Sequence, residues 1–301
     1  MITRRRLLTI SAAMALAPGL ARANNATHLW TGQALGARAS IRLNHPDGRQ
    51  IAERVLAEID RLEDILSLYR PDSALARLNR DGRLDAPPFE LLECLSITDA
   101  VHRASNGRFD PSVQPLWAGW AEAAAGGERP KAEALKAALA HTGWKHVAFD
   151  TSRIQMRPGM ALTLNGIGQG YVADRVAALL RAEGLTDILV DTGEFHAIGG
   201  DPSGGAWRLS LAAGGSVDLQ DRALATSSPL GTTFDQHGRD GHILDPETGH
   251  PASPAWREIT ITAPTAALAD ALSTAACLMA DRGEIETMLT HFPEATLEAA
   301  V

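Results

Sequence analysis

The sequence predicts an α+β fold. Segments with apolar residues at helical spacing are interleaved with short alternating or apolar runs. Most neighbouring strand candidates are joined by stretches only long enough for turns, which favours α+β over a doubly wound parallel sheet. No internal repeat, long linker or low-complexity tract divides the 301 residues, so the chain is one large domain or two intimately packed halves.

The first segment, MITRRRLLTISAAMALAPGLARA, has Arg4, Arg5 and Arg6 ahead of an apolar run from Leu7 to Leu16, then Ala21-Arg22-Ala23, a small-x-small cleavage pattern. Thr3 to Leu8 also resembles a twin-arginine export signal, while an ordinary secretory signal with a basic start fits the same residues. The expected division is residues 1–23 as signal peptide and residues 24–301 as a single periplasmic domain. The apolar run is too short to span a bilayer and no later stretch is longer, so direct membrane insertion is not expected. Loss of the signal's four arginines takes the formal charge from −8 to −12, which argues against nucleic acid or an anionic membrane as partner.

After the signal, HLWTGQALGARASIRL alternates as a pair of strands around Gly36. Ile51, Val55, Ile59, Leu62, Ile65 and Leu66 have helical spacing and predict a long amphipathic helix ending near Tyr69-Arg70-Pro71. A second helix is expected from Glu90 to Ser105. NGRFDPSVQPLWAGW mixes Gly, Pro and aromatics without periodicity and reads as a loop, followed by a helical, Ala-rich stretch over 121–140 with GGERP as its start signal. HVAFDTSRIQMRPGMALTLN reads as strand, turn, strand. Beyond it come a helix over 171–184, the strand TDILVDTG and a meander through WRLSLAA and RALATSS. EITITAP reads as a strand, with helices over 266–281 and 283–291 and a strand-like tail. Cys94 and Cys277 lie in apolar helical patterns; they are read as two buried thiols, with pairing the alternative in an oxidising compartment.

Chemistry is suggested at three places. ALTLNGIGQGYVADRVAALLRAEG has Gly166 and Gly168 at the spacing of a dinucleotide fingerprint, but Tyr171 stands where the third glycine belongs, so the Rossmann match fails. Three glycines in five residues still leave backbone uncovered beside a helix start, where an anion or metal can approach; a plain tight turn is the other reading. In APTAALADALSTAACLMA, Asp270 and Thr274 stand four apart on an apolar helix. A buried carboxylate needs either a hard cation, with oxygen ligands from Asp270, Thr274 and carbonyls such as that of Gly166, or a cluster of hydrogen bonds. GHILDPETGHP places His242 before Ile243 and Leu244, either as a general base or as a satisfied hairpin histidine.

Taken together and in order, LSLYRPDSALARLN, NGRFDPSVQPLW, LTLNGIGQGYVADRV, ILVDTGE, LATS, HILDPETGHP and ALADALSTA resemble the FAD:protein FMN transferase (ApbE) family over roughly residues 28 to 285. The resemblance implies an ApbE-like fold of two packed halves with mixed or antiparallel sheets, flanking helices and an FAD cleft between them. It further implies that FAD is split with a bound Mg²⁺ (or Mn²⁺) and that FMN is attached through its phosphate to a threonine of a partner protein. The residues it assigns to the metal are Gly166, Asp270 and Thr274. Those lining the FAD cleft are Leu35, Tyr69, Ser73, Phe109, Asp110, Thr163, Gln169, His242 and Ile243, with His242 as base and Asp270 as the second catalytic residue.

This chain departs from the family's usual Leu-Asp-Leu at Leu162-Thr163-Leu164, from its Lys or Glu at Gln169, and from its Met-Gly-Thr at Leu35-Gly36-Ala37. LNGIGQGYVADRV with DTGEF resembles the NosX branch, whose flavin-accepting partner is a membrane-bound, NosR-type electron-transfer protein of nitrous oxide respiration. The alternative is a non-catalytic periplasmic FAD-binding or assembly factor on the same scaffold, a reading that Thr163 favours and that Asp270, Thr274 and His242 oppose.

Overall fold

The computed structural model describes residues 28–301 apart from Gly36, residues 44–46, Pro202 and Pro254; the expected signal peptide lies outside the described residues. The chain opens with an antiparallel pair, β1 (His28–Ala34) and β2 (Ala37–Leu43), as the alternation predicts. Helix α1 (Gly48–Leu66) buries Ile51, Val55, Ile59, Leu62, Ile65 and Leu66 along one face. It ends earlier than the sequence suggests because Ser67 turns extended and its hydroxyl accepts the N–H groups of Tyr69 and Arg70 at 3.1 and 3.3 Å. That turn lifts Tyr69 out of the helix. Ser73 then caps α2 (Ala74–Asp81), which leads into β3 (Arg83–Asp85) and α3 (Phe89–Ala104).

The segment expected to be a loop contains a helix. Asp110 caps a short 3₁₀ turn over Pro111–Val113, and α4 (Gln114–Ala125) follows, burying Leu116 and Trp120 one turn apart. A stripe that narrow, with Gly119 inside it, carries too weak a period to be read from sequence. The Ala-rich stretch is accordingly divided between the end of α4 and α5 (Ala132–Leu139).

After the hairpin of β4 (Val147–Phe149) and β5 (Arg153–Met156), residues 161–165 form no strand. The Asn79 side chain brackets Leu162 instead, accepting its N–H at 2.7 Å and donating to its carbonyl at 2.8 Å, while Thr163 N–H bonds the Pro111 carbonyl at 2.8 Å. These contacts satisfy backbone that a ladder would otherwise have to pair. Helix α6 (Gly168–Ala182) takes in the last two glycines of the turn and so starts three residues before the expected position.

The remainder supplies most of the main sheet: β6 (Ile188–Asp191), β7 (Phe195–Ile198), the ribbon β8 (Trp207–Ser210) and β9 (Ser216–Leu219), then β10 (Ala223–Ser227) and β11 (Ile259–Ala263). Helices α7 (Ala266–Ala276) and α8 (Arg282–Leu289) precede the last strand, β12 (Thr296–Ala300). Seven strands run in the order β1-β2-β6-β7-β10-β11-β12, every described pairing antiparallel, with β3-β5-β4 as a separate sheet. This is the α+β architecture that the sequence predicts.

Alternation along the strands divides the two faces of the main sheet. Val190, Ile198 and Ala223 join the large core under α1, α3, α6 and α7, whereas Ala197 and Leu224 pack beneath the β8–β9 ribbon. Helix α7 is buried nearly all round, against β10, β11, α3 and α6. Its alanines allow that closeness, and any polar group it carries is forced inside. Cys94 and Cys277 are both buried and free.

Candidate functional site

The polar groups of α7 are Asp270, Ser273 and Thr274; Asp270 and Thr274 meet the glycine turn, while Ser273 bonds Ser227 and the Asp270 carbonyl. Adjacent helices α6 and α7 meet where Gly170 lies against the first turn of α7: a Cβ on Gly170 would sit 2.3 Å from the Ala266 carbonyl oxygen and 2.7 Å from Ala267 N. Only glycine permits that approach. It lets Gly170 N–H donate to Asp270 Oδ2 at 3.3 Å. At the other end of the turn, a Cβ on Gly166 would lie 3.0 to 3.1 Å from the Thr274 side chain and 3.2 Å from Phe109 Cε2. The missing side chain leaves room for both to close on the backbone.

Asp270 is 4% exposed, and among the described residues the N–H of Gly170 is its single side-chain hydrogen-bond partner. Burial pushes its carboxyl up to about 7; the Gly170 N–H opposes the shift and the nearby Asp174 carboxylate adds to it. Glu194, in the turn between β6 and β7, is raised well above the carboxylate range by burial and by the charge of Asp270, against one hydrogen bond from Thr226 N–H at 3.3 Å. Burial disfavours the charged form of both acids, so in this setting a nearby positive ion would favour their ionisation. Among the described residues no three His, Cys, Asp or Glu side chains gather as a metal centre. A cation at this place would therefore be held by one carboxylate together with hydroxyl and backbone oxygens, a hard-donor set suited to Mg²⁺ or Mn²⁺.

The other residues singled out by the sequence surround this point in different ways. Tyr69 is 54% exposed; partial desolvation raises its phenol, and a hydrogen bond with Asn165, next to Gly166, opposes the rise. Leu35, at a positive φ of 49°, donates its N–H to Glu63 Oε1 at 2.9 Å and reaches Gly168, where an added Cβ would lie 2.7 Å from its Cδ1. The Gln169 carbonyl accepts from the Thr192 hydroxyl at 3.2 Å. Thr163 receives the N–H of Asn165 on its hydroxyl at 3.2 Å.

Two of these residues have their polar atoms engaged inside the protein. Ser73 donates to the Ser67 carbonyl and accepts Ala76 N–H, which closes the turn carrying Tyr69. Asp110 accepts from Ser112 N–H, the Ser112 hydroxyl and Trp144 N–H, which fixes the Phe109 loop.

His242 sits beside the turn after β10: a Cβ on Gly241 would lie 2.1 Å from the Pro229 carbonyl oxygen. Its Nδ1 lies 3.0 Å from the Thr232 carbonyl, which only accepts, so the neutral ring carries its proton there and Nε2 has the lone pair. Burial lowers its pKa below the usual histidine value, with the Thr232 and Pro229 carbonyls opposing. Ile243, next in sequence, is buried in the main core.

Sequence reading missed the residues that hold this arrangement together. Asp174 on α6 accepts from Ala266 and Ala267 N–H at 2.7 and 2.9 Å and pairs with His196 Nδ1 of β7 at 2.7 Å. One carboxylate thus ties α6, α7 and the sheet together and caps the helix that carries Asp270. Its signal was an acid at Asp174 inside an apolar helix, the same anomaly that marks Asp270. Ser227, which bonds Ser273 at 2.7 Å, had no comparable signal, whereas Ser273 stands beside Thr274 on the same apolar helix.

Comparison with known proteins identifies the family. The ApbE family profile matches residues 35–296. The chain is 28% identical to the FAD:protein FMN transferase of Escherichia coli strain K12 over 245 residues, 75% of this chain and 70% of that protein. It is 31% identical to that of Chlamydia pneumoniae over 232 residues, covering 72% and 74%. It superimposes on the crystal structure of the flavinyl transferase ApbE of Pseudomonas stutzeri, apo form, with a TM-score of 0.76 at 28% identity, covering 88% of each chain. With a family profile over most of its length and a relative 31% identical over 72% of it, the chain belongs to the ApbE family.

Proposed function

We propose that this chain is an FAD:protein FMN transferase that splits FAD and joins FMN, through its phosphate, to a threonine of a partner protein. The observation that carries this reading is the meeting of Asp270 and Thr274 with the Gly166–Gly170 backbone, an oxygen-only cluster built around a buried acid. Asp270, Thr274 and the Gly166 carbonyl would hold a divalent cation, Mg²⁺ or Mn²⁺, which when bound neutralises charge on the pyrophosphate. Tyr69 and Phe109 flank the flavin. Leu35, Ser73, Asp110, Thr163, Gln169 and Ile243 shape the cleft, Ser73 and Asp110 by fixing its loops.

The transfer balances with residues already in place. The threonine oxygen attacks the phosphorus of the FMN half; a P–O bond forms, the bond from that phosphorus to the bridging oxygen breaks, and AMP leaves with the electron pair. His242 Nε2 takes the threonine proton. In this reading residues 1–23 direct twin-arginine export and the domain of residues 24–301 works in the periplasm. Its acceptor is an exposed threonine on a membrane-bound electron-transfer protein, of the NosR type in nitrous oxide respiration.

The test is transfer of FMN from FAD to a threonine-containing partner fragment in the presence of Mg²⁺, followed by protein mass and in-gel flavin fluorescence. Asp270→Asn keeps the size of the side chain and removes its charge, so transfer is expected to fall by roughly a thousandfold or more. Near-parental transfer by that variant, or transfer indifferent to a chelator, sinks the metal assignment. FAD binding without any transfer by the parent would favour a non-catalytic role.

A further inference from the structure

The hydroxyl groups beside Asp270 have a fixed direction. Ser273 Oγ lies 3.0 Å from the Asp270 carbonyl oxygen, and a carbonyl only accepts, so the single Ser273 hydroxyl hydrogen is spent there. The contact of 2.7 Å between Ser273 and Ser227 then has Ser227 as its donor. With its own hydrogen spent, Ser227 accepts in its contact of 3.2 Å with Thr274 Oγ1, and Thr274 is the donor. The order runs Thr274 to Ser227 to Ser273 to the Asp270 carbonyl, and each hydroxyl has one hydrogen to give. Thr274 therefore turns its hydrogen toward the end of β10, while its oxygen stands 3.1 Å from where a Gly166 side chain would begin.

We propose that Ser227 is a positioning residue for the divalent-cation site: by accepting the Thr274 hydroxyl hydrogen it keeps the lone pairs of Thr274 aimed at the cation. Threonine is a ligand only through those lone pairs, and a hydrogen turned inward would meet the cation with the wrong end of the O–H dipole. Neither Ser227 nor Ser273 touches the cation in this arrangement. The relay also explains two buried or half-buried serines around an apolar, alanine-rich helix, where alanine would have packed as well. The inference rests on the cation reading given above.

The test is Mn²⁺ binding to the metal-free protein without FAD, with free Mn²⁺ read by electron paramagnetic resonance and thermal unfolding recorded alongside. Ser227→Ala frees the Thr274 hydrogen and should weaken Mn²⁺ binding about tenfold or more, in the range typical for removing a group that orients a metal ligand. Ser227→Thr, which keeps the hydroxyl, should restore it. Ser273→Ala leaves Ser227 free to donate to Thr274 and should also weaken binding; it carries the test if Ser227→Ala does not fold. Parental affinity in both alanine variants, with binding lost in Asp270→Asn, overturns the relay alone. A parent that binds no Mn²⁺, or an Asp270→Asn variant that binds like the parent, overturns the cation reading and the relay with it. A melting-temperature loss in Ser227→Ala at unchanged affinity shows a purely structural serine and also overturns the proposal.

Discussion

His242 is the residue whose protonation sets when the proposed transfer can run. A base must be neutral to accept the threonine proton, and burial holds this imidazole below the ordinary value of 6.5. The sign is therefore definite: kcat/KM should rise as pH increases through a value below 6.5 and then be level with respect to this group at pH 7 to 8. A pH profile of FMN transfer checks it. His242→Ala should lose about a hundredfold or more of the rate; a rate that stays near the parental one assigns the base elsewhere. At this scale the sequence was most legible where chemistry and burial conflict. Asp270 on an apolar helix announced itself, and the i, i+4 spacing gave it Thr274. What Ser73 and Asp110 do was only partly legible: their caps to Ala76 and Ser112 follow local spacing, whereas Ser67 and Trp144 are brought to them by the path of the backbone.

The packing of α6 against α7 turns two glycine substitutions into opposite experiments. Alanine is about 1 kcal/mol better than glycine inside a helix. In α4, an added Cβ on Gly119 meets nothing within 4 Å, so Gly119→Ala should raise stability by up to about 1 kcal/mol. Gly170→Ala thrusts its methyl group into the backbone of Ala266 and Ala267, which cannot swing aside as a side chain does. It should lower stability by roughly 2 kcal/mol despite the gain in propensity. Urea midpoints measure both, and a stabilised Gly170→Ala would mean that the helices are not in contact there. Helix α1 was readable from its strong period and α3 from an unbroken run without Gly or Pro, as were the hairpin strands. Helix α4 was hidden by its narrow stripe, and in the segment 161–165 the Leu162 backbone is paired to a side chain, that of Asn79, and not to a neighbouring strand.

For the molecule as a whole, the site depends on segments spread from Leu35 to Thr274, so it exists only in the finished fold. That suits the twin-arginine route, whose cargo crosses already folded. Replacing Arg4 and Arg5 by Lys should leave precursor in the cytoplasm, detectable as an uncleaved band in fractionated cells; unchanged export leaves only the general secretory route. The fold class was legible because turn-length connections leave few topologies. The strand order β7-β10-β11 around a central α7 was not, since it depends on which buried faces find each other. The Gly170 to Asp270 hydrogen bond spans 100 residues, and this has a consequence in time. At about 5–20 residues per second, a ribosome makes the glycine turn on the order of 5–20 seconds before the acid that faces it. During that interval the nascent chain has one half of the cluster and no α7 for Asp174 to cap. In the proposed mechanism bound FAD would therefore stay whole on an unfinished chain until roughly the last tenth of synthesis supplies Asp270 and the helix that carries it.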